Sequence, residues 1–197
     1  MMKRRLFLFM VIFLLGISLV LAGCSFGSGE SGSEGNPSGT GSYDVEMTYY
    51  LVASTATSFY LKPMQTTVHF KGDPTLEDKV KVALSLLASK TLNTDDGVVP
   101  LPADTKVLGV KIEGDKKTAE VNFSEEILRN PGFGAEGEML ALCAIPLSAK
   151  QFGIESVYVL INGQKPSEEN GYIDFWGHVG LYDQPLTASG CEDAVRK

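Results

Sequence analysis

The chain has 197 residues, with 17 basic and 24 acidic side chains and a formal charge of −7. Its first segment holds three of the basic residues and no acid, so the rest of the chain carries 14 basic against 24 acidic side chains, about −10. No stripe of Lys or Arg interleaves with aromatics, so no nucleic acid is expected as a partner, and direct electrostatic docking on anionic lipid is equally a poor candidate.

Lys3, Arg4 and Arg5 precede an uncharged apolar run from Leu6 to Leu21. A short basic segment before an apolar one is the layout of a secretory signal, and the run is near the lower limit for a permanent span. Leu21-Ala22-Gly23-Cys24 decides for cleavage. Small residues at 22 and 23 fit a signal peptidase, and Cys24 offers a thiol at the new N-terminus. The string resembles the lipobox of bacterial lipoproteins, which implies a diacylglycerol on Cys24 and a position on the outer face of the cell membrane. Several acyl chains anchor stably, at ~0.8 kcal/mol per buried methylene. Residues 25–43 are Ser, Gly, Glu, Asn, Pro and Thr with almost nothing apolar besides Phe26, so they predict a disordered leash. Such a leash has a span of about 25 Å, or about 60 Å when drawn straight.

The remaining length suits one ordinary domain. Val45, Met47, Tyr49 and Leu51 alternate on a strand that ends near Ser54. Phe59-Tyr60-Leu61 resumes strand character until Pro63, and Thr66 to Phe70 predicts a further short strand. Asp73-Pro74 reads as an N-cap followed by Pro at the first helical position. Leu76, Val80, Ala83, Leu84 and Leu87 share one face of that helix, which should end near Lys90. A second hairpin pairs Leu108, Val110 and Ile112 with Ala119, Val121 and Phe123 around the turn Glu113–Lys116, and Ser124-Glu125-Glu126 caps a single helical turn.

The second helix spans Glu136 to about Gln151, with Met139, Leu142, Cys143 and Leu147 in a buried stripe that Leu140 and Ala144 widen. Pro146 should kink or split it near Leu142 to Ile145. Ser156 to Ile161 reads as an interior strand, Asn162-Gly163 as a tight turn, and Gly171 to Trp176 as a last strand before a structureless tail. Strands, helix, strands, helix, strands predicts an α+β fold: a mixed or antiparallel sheet with two helices packed on one face. The expected organisation is a signal peptide over 1–23, lipidated Cys24 and linker over 24–43, one domain over 44–178 and a tail over 179–197.

With Cys24 committed to lipid, Cys143 and Cys191 allow two readings. They form a disulfide clipping the tail to the domain, or Cys143 is a small core residue and Cys191 is free. The apolar run around Cys143 tilts slightly toward the second.

Leu101-Pro102-Ala103-Asp104-Thr105-Lys106-Val107-Leu108-Gly109-Val110 resembles the "LPxGTxLLGV" segment of the sporulation and spore-germination domain called GerMN. Ala119 to Ser124 is similar to that family's "ATVDFS", and the series continues through Gly137-Glu138-Met139-Leu140-Ala141-Leu142, Phe152 to Val157 and Leu160-Ile161-Asn162-Gly163. It covers roughly residues 45–175. The resemblance implies a non-catalytic extracytoplasmic domain similar to the small α/β ring-building modules of envelope assemblies. Three departures stand out: one copy where GerM-like lipoproteins often carry two, Pro146 where the family helix runs on, and Asn162 where Asp is common.

Chemistry-bearing patterns are sparse. His69 and His178 have no i, i+4 ligand partner, and no Cys pair has zinc spacing, so no metal or cofactor is expected. His69 reads as a surface or edge residue and His178 as part of a turn. Gly132 to Gly137 reads as a loop and helix start rather than a phosphate cradle. Glu125 and Glu126 point about 100° apart on a helical turn, which suits capping better than paired-acid catalysis. Tyr49, Tyr50, Phe59 and Tyr60 form the most suggestive group, an aromatic hairpin able to hold glycan or a partner strand, although core packing accounts for it as well. The expected function is a membrane-tethered, non-enzymatic interaction module of an envelope assembly, related to sporulation or germination. Its partners would be envelope proteins or peptidoglycan. The alternative is a glycan-binding lipoprotein gripping peptidoglycan through those aromatics.

Overall fold

Two 13-residue strands, β1 (Ser42–Ser54) and β2 (Phe59–Lys71), pair in one unbroken antiparallel ribbon in the computed structural model, which describes residues 41–173, 176 and 184–195. Thr55 shapes the turn between them: its hydroxyl accepts from the Ser58 amide, and its own amide donates to the Ser58 carbonyl. Pro63 does not end the second strand, contrary to the expected break. Val52 sends both its N–H and its C=O to Val98 rather than to β2 (2.8 and 3.0 Å). By alternation Tyr50, two residues earlier, also faces away, and its cross-strand partner is Pro63. A missing N–H there breaks no ladder bond.

The remaining strands form a separate sheet, not a continuation of the ribbon. Its order is β3 (Val107–Ile112), β4 (Thr118–Phe123), β5 (Ser156–Ile161) and β6 (Leu186–Thr187), with β4 and β5 parallel and the outer pairs antiparallel. A parallel pair needs a long crossover, which the helix α2 (Gly134–Lys150) supplies. The α+β class and mixed pairing are as expected, but there are two sheets where one was foreseen. On β3 a bulge between Val107 and Gly109 shifts the register. Val107 is therefore buried, while Leu108, expected to face inward, is 46% exposed.

Helix α1 (Leu76–Leu86) starts two residues later than the Asp73-Pro74 signal. Thr75 is the cap: its hydroxyl accepts from the Asp78 amide and the Asp78 carboxylate accepts from the Thr75 amide, both at 3.1 Å. This reciprocal box satisfies two donors and outcompetes a lone upstream Asp. The helix ends at Leu87, short of Lys90, where the Leu101 amide donates to the Leu87 carbonyl and a 3-10 turn (Lys90–Leu92) comes next. Val80, Ala83, Leu84 and Leu87 are fully buried, as their spacing predicts. Ser124 precedes a 3-10 turn (Glu125–Leu128) without capping it, and its hydroxyl accepts from the Lys106 amide instead.

Helix α2 lies between the ribbon and the four-stranded sheet, touching β1, β2, β5 and β6. Both helices were expected on one sheet face, with a single buried stripe on the second. Instead α2 is buried on all sides from Gly137 to Ala149, apart from Met139. Met139, placed in the stripe by spacing, is 53% exposed. Despite Pro146 the helix runs unbroken to Lys150, held by packing on every side where a split was expected. Just past its end, Gln151 behaves like a strand residue. Its amide oxygen accepts from the Thr48 N–H and its NH2 donates to the Thr48 C=O, both 2.8 Å, and also to the Ser148 carbonyl. Thr48 and Val52 thus have the outer edge of β1 covered, one by a side chain and one by Val98. Gln151→Ala is expected to cost about 1–2 kcal/mol, read as a lower urea midpoint at unchanged slope.

Asn162 and Gly163 take positive φ (49° and 78°), giving the hairpin-type turn that this pair predicts. Of the expected strand Gly171–Trp176, residues 171–173 and 176 are described, and none is in a strand. Trp176 is 2% exposed, and its indole N–H donates to the Ile127 carbonyl at 2.7 Å. Asn130 links this region to α2, donating to the Trp176 carbonyl and to the carboxyl of fully buried Glu138.

The stretch read as a structureless tail is built into the fold. β6 pairs with β5, a 3-10 turn (Ser189–Ala194) packs on α2, and Val195 bridges to Leu61 of the ribbon. Cys191 is bonded to Cys143 of α2, with Cα atoms 5.2 Å apart. Core residue and tail residue are therefore joined, and of the two readings left open the structure takes the disulfide. The Lys150–Glu192 ion pair lies alongside, and the ammonium lowers the Glu192 carboxyl below its usual range.

Candidate functional site

The four aromatics singled out in the sequence do not form one group. Consecutive strand residues face opposite sides, so Tyr49 enters the core at 5% exposure while Tyr50 lies on the other face of β1. Burial pushes the Tyr50 hydroxyl up, and the Lys150 ammonium offsets part of that. Phe59 and Tyr60 sit at the far end of the ribbon, paired with Ser54 and Ala53. There they line a cleft of about 390 Å3 between the ribbon's turn end and the Thr94–Gly97 turn.

Residues that periodicity does not single out complete the cleft: Lys62, Asp95, Asp96 and Phe133. The Lys62 ammonium donates to the Asp96 carboxylate at 2.7 Å. That hydrogen bond raises the lysine and lowers the aspartate, and Tyr60 adds to the rise at Lys62. The Thr94–Gly97 turn closes on itself through two backbone bonds and docks on β1 through Val98 and Val52. Gly97 permits the close approach, since a Cβ there would lie 3.0 Å from the Val52 carbonyl oxygen.

Phe133 arrives from the loop before α2, flanked by Gly132 and Gly134 at positive φ. Gly137 lets it lie back on the first turn of the helix, because a Cβ at 137 would collide with the Cβ of Phe133. The glycines read as a loop and helix start therefore also position a ring at the cleft. Gly137→Ala is expected to cost about 1–3 kcal/mol and to push Phe133 away, with lower thermal stability and changed amide shifts at Asp95 and Asp96.

The remaining sequence candidates lie apart. His69 is exposed, and its Nδ1 meets the Asp44 carboxylate across the ribbon at 2.5 Å. Glu125 and Glu126 line a separate shallow depression with Arg129, and Ser124 holds the Glu126 carboxyl below its ordinary value. Cys24 and His178 lie outside the described residues. Among the described residues no group of three or more His, Cys, Asp or Glu is placed to hold a metal ion, and no helix is long and apolar enough to cross a membrane.

The family model described as Germane, sporulation and spore germination, matches residues 39–167, which include both strands of the ribbon, both helices and the sheet through β5. The chain belongs to this family. The first GerMN domain of the sporulation protein GerM from Bacillus subtilis is 25% identical, with a TM-score of 0.51 over 74% of this chain and 98% of that one. The tandem GerMN domains of the same protein are 24% identical, with a TM-score of 0.54 over 74% of this chain and 47% of that chain. This chain thus spans about half the length of the tandem structure and corresponds to one GerMN domain. No curated protein sequence matches it. Germane membership supports a sporulation-related role, as the motif series implied.

Proposed function

We propose that this Germane-family chain is a lipid-anchored extracytoplasmic lipoprotein whose GerMN domain is a non-catalytic interaction module in a cell-envelope assembly. The observation that carries this reading is a family match over 39–167 in a chain that also holds Leu21-Ala22-Gly23-Cys24 after a basic and apolar leader. The ribbon supports the interaction role. By the alternation that sets Pro63 outward, the backbone groups of Gln65, Thr67 and His69 also face away from β1, and all three residues are exposed. Such an edge can accept an extended partner segment by strand addition.

Mass spectrometry of the protein from its native membrane should find Cys24 diacylated as the leading residue. An intact Met1 or a bare Cys24 would reject the anchor. Affinity capture with the intact lipidated protein should recover envelope proteins reproducibly, and recovery of none would reject the module.

A further inference from the structure

We propose that the cleft between the ribbon's turn end and the Thr94–Gly97 turn is a binding subsite for an uncharged glycan chain. The inference goes beyond the interaction-module reading, which uses the ribbon edge and not this cleft. Three features of the cleft point to that ligand.

Phe59 and Tyr60 from the ribbon and Phe133 from the loop before α2 line the cleft, so aromatic residues reach it from two distant segments of the chain. A flat apolar ring suits the C–H face of a pyranose, and the tyrosine adds a polar tip. A volume of about 390 Å3 falls within the range of small-ligand sites and admits a short stretch of a chain rather than a protein surface.

The polar groups suit hydroxyls better than ions. A sugar hydroxyl both donates and accepts, so it needs both kinds of partner held in place. An ammonium has three donors and a carboxylate about four acceptor sites, so the Lys62–Asp96 bond leaves both groups with capacity to spare, and exposed Asp95 adds further acceptors. A cationic ligand would have to compete with Lys62 for Asp96. An anionic ligand would meet two carboxylates against one ammonium.

The walls are also held before any ligand arrives. Val52 clasps the Thr94–Gly97 turn through Val98 by two backbone hydrogen bonds, and Gly137 seats Phe133. Pre-set geometry lowers the ordering cost of binding.

The test is titration of the full-length protein in detergent micelles with chitotetraose and, separately, with a neutral glucose tetramer, followed by calorimetry and amide shifts. A saturable interaction with either sugar is expected, with shifts at Asp95, Asp96 and Gly97. Tyr60→Ala and Asp95→Ala should each weaken it at least about tenfold, and Tyr60→Phe should stay within about threefold. Tyr50→Ala, which lies off the cleft, should bind as the unaltered protein does. Asp95 is exposed, so its variant remains informative should Tyr60→Ala fail to fold. No binding of either sugar at millimolar concentration would overturn the proposal, as would equal loss in Tyr50→Ala, or saturable binding of a Lys/Arg-rich peptide in place of the sugars.

Discussion

Replacing Cys191 by Ser is expected to lower unfolding stability by about 4 kcal/mol, within a range of about 2–5. Cys143 and Cys191 are 48 residues apart in sequence, and in the chain-entropy account a bond across that separation restricts the unfolded ensemble by about this much. The folded state loses more than a covalent link. Among the described residues, the C-terminal segment pairs with β5 through Leu186 and Thr187, the Ala188 amide donates to the Glu155 carbonyl, and Val195 bridges to Leu61 of the ribbon. With the bond absent, the contacts that remain among the described residues are those, the exposed Lys150–Glu192 ion pair, which contributes little, and the packing of the 3-10 turn on α2. Urea unfolding of the oxidised protein, the same protein with dithiothreitol, and Cys191→Ser should give one high midpoint and two similar low ones. Hydrogen exchange should show the amides of 186–195 opening first in the reduced protein. Equal midpoints in all three would mean that the pair is not joined in solution.

Phe123→Ala is expected to cost about 3–5 kcal/mol, a large share of the roughly 5–15 kcal/mol that holds a domain of this size. Phe123 is fully buried at the end of β4, beside Ile161 of β5, and its carbonyl accepts from the Asn162 amide at the start of the adjoining turn. Removing the ring leaves a cavity in the core at the end of β4, which paired strands cannot collapse to fill. Phe123→Leu keeps most of the volume and should cost under about 1.5 kcal/mol. The two variants should unfold with the same urea dependence as the natural protein and differ only in midpoint. Equal effects of Ala and Leu would show that packing of the ring is not what the position requires.

Much of the fold was legible because it rests on interactions between residues near in sequence. The α1 face of Val80, Ala83, Leu84 and Leu87 comes from helical spacing. The pairing of Val110 with Val121 and Ile112 with Ala119 comes from alternation around a short turn. Asn162-Gly163 reflects the positive φ that such a turn demands. The GerMN-like motif series was legible for the same reason, being a string of turns and strand ends at set spacing. The errors arose where a distant neighbour changes the outcome. Pro63 reads as a strand breaker until Val98 claims Val52 and fixes which pairs of the ribbon carry ladder bonds. Leu108 reads as an inward residue until a bulge turns it out. Met139 fits a stripe only if α2 has one buried side, and between two layers it has several.

The candidate site shows the same division. Phe59 and Tyr60 stood out as aromatics in a hairpin, but they lie at its turn end while Tyr49 and Tyr50 lie four residues down the ribbon, and the pleat sends the members of each pair to opposite faces. Asp95, Asp96 and Phe133 carried no periodic signal. The clue to Phe133 was the glycine set at 132, 134 and 137, whose need for positive φ and close approach shows only once the helix start is built.

The amino-acid order alone determined the local structure of the domain: the helix faces, the tight turns and the α+β class. Each depends on groups within a few residues of one another, where propensity and periodicity act directly. Tertiary structure alone decided that the strands divide into two sheets, that α2 is enclosed between them and that Cys143 meets Cys191. It alone also brought Phe59, Asp96 and Phe133 to one cleft. Those outcomes depend on which distant surfaces bury each other, and packing resolves that choice for the whole chain at once.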